Sequence, residues 1–268
     1  MTPRQVVPLI CIMFALCHST ASAQIVGQQQ AELARKALGA DRMERGMVVA
    51  RVRHMGPDSV SPALRAALIA ALEQQGELFA RRLRREIGEF ENMELIAGLA
   101  QLVAGFRDPR AIDALAGALG ASPPAGDALA EFGERAVPAV LRVLEATTVA
   151  SVGAGALNCL RFMVQGVGGQ PLTDVTRERI RQITKERLTT RQKSFRTVWG
   201  GIDLAVALED PELRRIVQSL ASDRDAVRAL GVRDTDIEDT QRRAIERLAG
   251  VPARPWHASV EEWAKRWK

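Results

Sequence analysis

The chain has 268 residues, of which 47% are hydrophobic and 4% aromatic, and its formal net charge is +5 at pH 7. This length and hydrophobic content suffice for one elongated domain or two smaller ones, and the mild charge excess does not by itself argue for nucleic-acid binding. Tyrosine is absent and alternating β-branched runs are lacking, which argues against a sheet protein and predicts an all-α fold.

Residues 1–23 have the pattern of a secretory signal peptide. Arg4 precedes an apolar run, Val6–Leu16, which is well short of the ~20 residues that span a bilayer. The small residues Ala21-Ser22-Ala23 then supply a cleavage site, so we expect cleavage between Ala23 and Gln24. The alternative is an uncleaved membrane anchor. Cleavage predicts an exported protein, periplasmic or extracellular, without a membrane span.

Removal of the signal changes the cysteine content and the charge. Cys11 and Cys17 leave with it, so Cys159 is the one remaining cysteine and an intramolecular disulfide is excluded. Arg4 also leaves, which lowers the net charge from +5 to +4. We therefore expect stability to come from apolar burial.

The same helix-opening pattern recurs along the chain. Asp108-Pro109 and Asp210-Pro211 each place an N-cap carboxylate and an N1 proline before an apolar stripe. Large apolar residues follow both Glu134 and Asp210 at distances of 3, 6, 7 and 10 positions, which is one face of a helix. The pattern predicts an array of stacked helix pairs joined by short loops.

The chain divides into predicted segments around one clear break. Residues 24–60 are a helical N-terminal lead, and 61–166 and 170–250 are helix-pair regions separated by the glycine-rich Gly166–Pro171. Gly76 is a possible interruption of the helix that begins after Ser61. Residues 251–268 contain three tryptophans and predict a capping helix, with an aromatic binding platform as the alternative.

The segments starting Asp108-Pro-Arg-Ala-Ile-Asp, Phe132-Gly-Glu-Arg-Ala-Val-Pro and Ser222-Asp-Arg-Asp-Ala-Val-Arg resemble the helices of HEAT repeats, in particular the short phycobilisome-lyase-type bacterial repeats. The resemblance covers residues 61–250 with an irregular period. It implies a right-handed α-solenoid of degenerate HEAT-like pairs with an interaction role. It implies no catalytic residue.

The sequence contains few residues in patterns typical of catalysis, metal binding or phosphate binding. His54 and His257 have no Cys or His at metal-ligand spacing, and Cys159 lies on an apolar helical face. Gly166-Val-Gly-Gly lacks the lysine of a phosphate loop, and the carboxylates of 234–239 are better explained as helix caps than as a calcium loop. We therefore predict no catalytic, metal-binding or cofactor-binding residue.

One segment carries a much larger net charge than the rest of the chain, which is close to neutral. Thr173–Arg196 carries a net charge of +5 in 24 residues. The candidate partner-binding residues are its cations, which helical spacing partly places on one side: Arg177, Arg181, Lys185, Arg187, Arg191 and Lys193. The alternatives are a solvated helix face and a docking strip for an acidic protein or an anionic polymer of the cell envelope.

These observations predict an exported, non-enzymatic scaffold that binds a protein or anionic envelope partner. The rival is an enzyme, or an accessory subunit of one, with a polar site that spacing along the chain does not reveal. Nucleic-acid binding is a third hypothesis, against which the export signal and the near-neutral remainder both argue.

Overall fold

The computed structural model describes residues 25–86, 93–167, 169, 171–192 and 194–251. Within these ranges the protein forms 13 α-helices and no β-strand, which confirms the predicted all-α class. No helix in the described ranges combines the length and apolar character needed to cross a membrane. The chain divides into two compact units with the boundary after Ala71, inside the third helix.

The N-terminal unit holds helix α1 (residues 25–37), helix α2 (Arg42–Arg53), a 3₁₀ turn (Pro57–Ser59) and the start of α3 (Pro62–Leu83). Its organising polar residue is Gln30, which is buried. The Gln30 amide nitrogen donates to the Ser59 carbonyl at 2.8 Å, and its amide oxygen accepts from the Ser61 N–H at 2.6 Å. The first helix is thereby fixed to the turn that precedes α3.

The larger unit continues with ten helices in the described residues. They are α4 (Met93–Gly105), α5 (Ile112–Gly117), α6 (Pro123–Glu131), α7 (Val137–Ala146), α8 (Ala150–Val164), α9 (Asp174–Thr189), α10 (Phe195–Ala207), α11 (Pro211–Ser222), α12 (Arg224–Ala229) and α13 (Asp234–Leu248).

The helices of the larger unit pack on one another in a regular order of contacts. One series of contacts runs from α4 to α6, from α6 to α8, from α8 to α10 and from α10 to α13. Two further contacts join α5 to α7 and α9 to α11. Each of these four helices also contacts a member of the series, because α5 packs on α6, α7 on α8, α9 on α10, and α11 on both α10 and α13. The buried core consists mainly of alanine, leucine and valine.

The helix-opening prediction is confirmed at both aspartates. The Asp108 carboxylate accepts from the Arg110 N–H at 3.0 Å, and the Asp210 carboxylate accepts from the Glu212 and Leu213 N–H groups, each at 2.9 Å. After Asp108 the chain first makes a 3₁₀ turn and becomes α-helical only at Ile112. A 3₁₀ first turn is a common start for an α-helix.

Gly76 does not interrupt its helix, since α3 runs on to Leu83. A Cβ at Gly76 would lie 3.2 Å from the Gly117 carbonyl carbon and oxygen, so the glycine allows the backbones to approach closely. Gly200 and Gly201 in α10 have a similar role. Cβ atoms there would lie within 3.0 Å of the Leu157 and Leu188 side chains, which places α10 tightly between α8 and α9.

Candidate functional site

The basic helix α9 is anchored at its first turn by a residue from outside the helix. The Glu134 carboxylate accepts the Thr173 N–H at 2.7 Å and the hydroxyls of Thr173 and Thr176, each at 2.5 Å. These hydrogen bonds lower the pKa of Glu134. The Thr173 hydroxyl also accepts from the Thr176 N–H, which makes Thr173 the N-cap of α9.

The central cations of α9 form ion pairs. Arg181 contacts Glu178 on its own helix at 2.7 Å and Glu212 of α11 at 2.9 Å. Lys185 reaches the same Glu212 at 2.5 Å. Hydrogen bonds from Arg181 and Gln182 lower the pKa of Glu178 to about 2. Arg181 and Lys185 therefore link α9 to α11.

The other candidate partner-binding residues that the structure describes do not form ion pairs with Glu212. Arg177 is partly exposed and pairs with no other residue in the described ranges. Arg187 donates from Nη2 to the Leu144 carbonyl of α7 at 2.9 Å, which places a cation at the negative end of that helix. Arg191 is exposed after the end of α9, and Lys193 lies outside the described residues. Of the described members of this set, Arg181 and Lys185 thus contact α11, Arg187 contacts α7, and Arg177 and Arg191 make no ion pair with another described residue.

An open groove runs beside the exposed side of α9. Arg179 and Glu145 of α7 both line it and form an ion pair at 2.7 Å. The groove has a volume of about 440 Å³. The buried Ile183 and the partly exposed Lys185 also line it. This groove offers both apolar and charged contacts to a partner.

The structure also shows a buried charged cluster that the sequence reasoning missed. Asp203 of α10, 8% exposed, accepts hydrogen bonds from Arg243 Nε at 3.1 Å and from Arg247 Nε at 2.9 Å. The Arg243 guanidinium lies 5.0 Å from the centroid of the Trp199 ring, and the Trp199 indole N–H donates to the Thr240 hydroxyl at 2.9 Å. The only sequence signal is a lone aspartate in the apolar run of α10.

Arg161 of α8 is a second buried arginine near this cluster, besides Arg247. Its guanidinium donates to the Asn158 side-chain oxygen at 2.8 and 3.2 Å and lies 4.5 Å from the centroid of the Phe162 ring. Burial lowers the pKa of Arg161, while the negative charges of Asp203 and Asp127 oppose that change. Burial also raises the pKa of Asp127.

Cys159 lies in the core as expected for a small apolar residue, since it is completely buried. Burial strongly raises the pKa of its thiol, which disfavours the nucleophilic thiolate. His54 is exposed on the last turn after α2, and His257 lies outside the described residues. Across the described ranges, no group of three or more His, Cys, Asp or Glu residues has the arrangement of a metal site.

The candidate functional site is therefore the surface of α9 with its groove and the loop that follows the helix. No family model, curated protein or solved structure matches the chain.

Proposed function

We propose that this protein is an exported, non-enzymatic interaction scaffold. In this proposal its helix pairs form a right-handed α-solenoid of HEAT-like repeats, and its surface binds a protein or an anionic component of the cell envelope. The observation that supports the proposal is the series of contacts from α4 through α6, α8 and α10 to α13, with α5, α7, α9 and α11 packed on its members. Solenoids built from such pairs present extended binding surfaces.

The surface of α9 is the proposed partner-facing region. Arg177 has no acidic partner in the described ranges, and Arg179 and Lys185 line the groove. Arg181 pairs with Glu178 and with Glu212 of α11. Exposed ion pairs are weak, so an acidic partner can replace the intramolecular carboxylates at small cost. The six predicted residues, including Lys193, remain the candidates for this contact.

A pair of variants with opposite charge changes tests this role. Arg177→Gln/Arg181→Gln/Lys185→Gln removes three cations, whereas Glu178→Gln/Glu212→Gln removes the two acids that pair with Arg181 and Lys185. Both variants lose the same ion pairs, so they control for each other in stability. We expect the first to weaken binding of fluorescent oligoglutamate by about tenfold at low salt, because exposed charge contacts contribute roughly 0.2–1 kcal/mol each.

The second variant is expected to bind the same probe more tightly than the parent, and both differences should shrink as salt screens the exposed charges. Fluorescence anisotropy at two salt concentrations gives the dissociation constants. Equal affinity of the parent and both variants would contradict the assignment of α9 as the binding face.

An enzyme or accessory subunit with a cryptic polar site is the second candidate function. The buried cluster around Asp203 is the observation that favours it, because buried charges often mark functional sites. However, Asp203 already accepts hydrogen bonds from two guanidinium groups, and the described part of the chain brings no hydroxyl nucleophile or histidine to it. A carboxylate held in this way joins α10 to α13.

Export is tested by the N-terminus of the processed protein. We expect intact-mass analysis of periplasmic or secreted material to give a chain that begins at Gln24, because Ala21-Ser22-Ala23 follows a short apolar run. A protein with an Ala23→Arg substitution should accumulate unprocessed, since signal peptidase requires a small residue at this position. Recovery of the parent with Met1 retained in the membrane fraction would contradict export.

A further inference from the structure

A small cavity lies where the α7–α8 loop meets the end of α9 and the start of α10. Its volume is about 220 Å³, below the ~300 Å³ lower limit for pockets that hold drug-sized ligands. The residues that line it include four with hydrogen-bond donors, Thr147, Arg187, Arg191 and Thr197, and two small ones, Ala150 and Gly153. The cavity is therefore suited to a small chemical group.

The cavity has a positive electrostatic character. Arg187 and Arg191 both line it, and its lining contains no acidic residue. The N-terminus of α8 also lies here, and the N-cap residue, Val149, has no side chain that could bond the first N–H groups. The helix dipole and those N–H groups favour a bound anion, and α8 extends over 15 residues.

Two polar atoms of the residues that line this cavity lack hydrogen-bond partners. Arg187 Nε is buried and unpaired. The Thr197 residue is 8% exposed, and its hydroxyl makes no hydrogen bond within the described ranges. This hydroxyl lies 3.7 Å from the position that a Cβ would take on Gly153, which also lines the cavity. Buried polar groups are nearly always hydrogen-bonded, so the unpaired Arg187 Nε and the adjacent Thr197 hydroxyl point to a ligand.

We propose that this cavity binds phosphate, either as the free ion or as the terminal group of a phosphate monoester. Arginine side chains form charge-assisted hydrogen bonds with phosphate oxygens, and a tetrahedral oxyanion can accept hydrogen bonds from several directions. Arg187, Arg191, the Thr197 hydroxyl and the start of α8 supply donors from three helices and the loop after α9. The site goes beyond the proposed scaffold function and does not depend on a macromolecular partner.

Calorimetric titration with inorganic phosphate at constant ionic strength tests the site. The parent is expected to bind one phosphate with a Kd of about 1 mM or tighter. Arg191→Gln should weaken binding about tenfold and Thr197→Val about threefold, in line with charged and neutral hydrogen bonds respectively. The exposed position of Arg191 makes loss of folding by its variant a minor concern.

Arg179→Gln is the matched control, because Arg179 lies on α9, just before the loop that holds Arg191, and pairs with Glu145 outside this cavity. It should leave phosphate affinity within about twofold of the parent. Methyl phosphate distinguishes the two sources: comparable binding supports a monoester ligand, and binding of inorganic phosphate alone supports the free ion. Equal weakening by Arg179→Gln and Arg191→Gln, or no saturable binding below roughly 10 mM phosphate, would overturn the proposal.

Discussion

Replacing Asp203 with alanine is expected to lower the free energy of unfolding by about 3–5 kcal/mol, the usual effect of removing one partner from a buried ion pair. Asp203 is 8% exposed and Arg247 is 6% exposed, so water solvates the Arg247 guanidinium poorly once the carboxylate is gone. Arg243 and Arg247 would then face each other, with the buried Arg161 nearby, without their main counter-charge. The packing of α10 on α13 should weaken most.

Asp113→Ala provides the matched control. Asp113 pairs with Arg142 at 3.1 Å, but the two side chains are 72% and 68% exposed, and the expected loss is below ~1 kcal/mol. Urea unfolding followed by circular dichroism gives both free energies from the midpoint and slope. Asp203→Asn keeps the side-chain volume, and its free energy of unfolding should lie between those of the parent and Asp203→Ala. It replaces Asp203→Ala in the comparison if the alanine variant does not fold. Equal midpoints for Asp203→Ala and Asp113→Ala would contradict a stabilising role for the cluster.

The helix starts could be predicted because their signals are local. Asp108 and Asp210 bond N–H groups two or three residues ahead, so a carboxylate next to proline is enough to predict the cap. The burial of Cys159 was similarly predictable from its apolar face. These features depend on residues within one or two turns of each other.

The charged contacts could not be predicted in the same way, because their partners are distant in sequence. Asp203 meets Arg243 and Arg247 over separations of 40 and 44 residues. Spacing placed Arg181 and Lys185 on one side of α9, but it gave no sign that Glu212 would approach that side from α11. A charge count along one helix therefore overestimated how uniform its basic face would be.

The cavity beside α8 illustrates the same limit. Thr147 and Ala150 come from one loop and helix start, whereas Arg187 and Thr197 come about forty residues later. Each is an ordinary residue in its own segment. These residues meet because α7, α8, α9 and α10 pack together. The periodicity of apolar residues predicts that each of these segments is a helix, but it does not predict which helices contact each other.

The second large effect is expected at Gly120, in the turn between α5 and α6. Its φ is +85°, and a Cβ at this position would lie 2.8 Å from the backbone nitrogen and Cα of Val152 in α8. The left-handed conformation costs a non-glycine residue about 1–2 kcal/mol, and overpacking adds about 1–3 kcal/mol. Gly120→Ala should therefore lower the free energy of unfolding by about 2–5 kcal/mol.

Gly117→Ala separates this packing effect from a general effect of alanine. Gly117 is the last residue of α5, is exposed, and would place its Cβ in open space, so its replacement should be neutral or stabilising by up to ~1 kcal/mol. Urea unfolding of the two variants measures the difference. Two of the obstructing atoms at Gly120 belong to the α8 backbone and the third is Cγ2 of the Val152 side chain, so relief requires movement of the helix itself. A Gly120→Ala protein as stable as Gly117→Ala would show that the turn and α8 do not approach each other this closely.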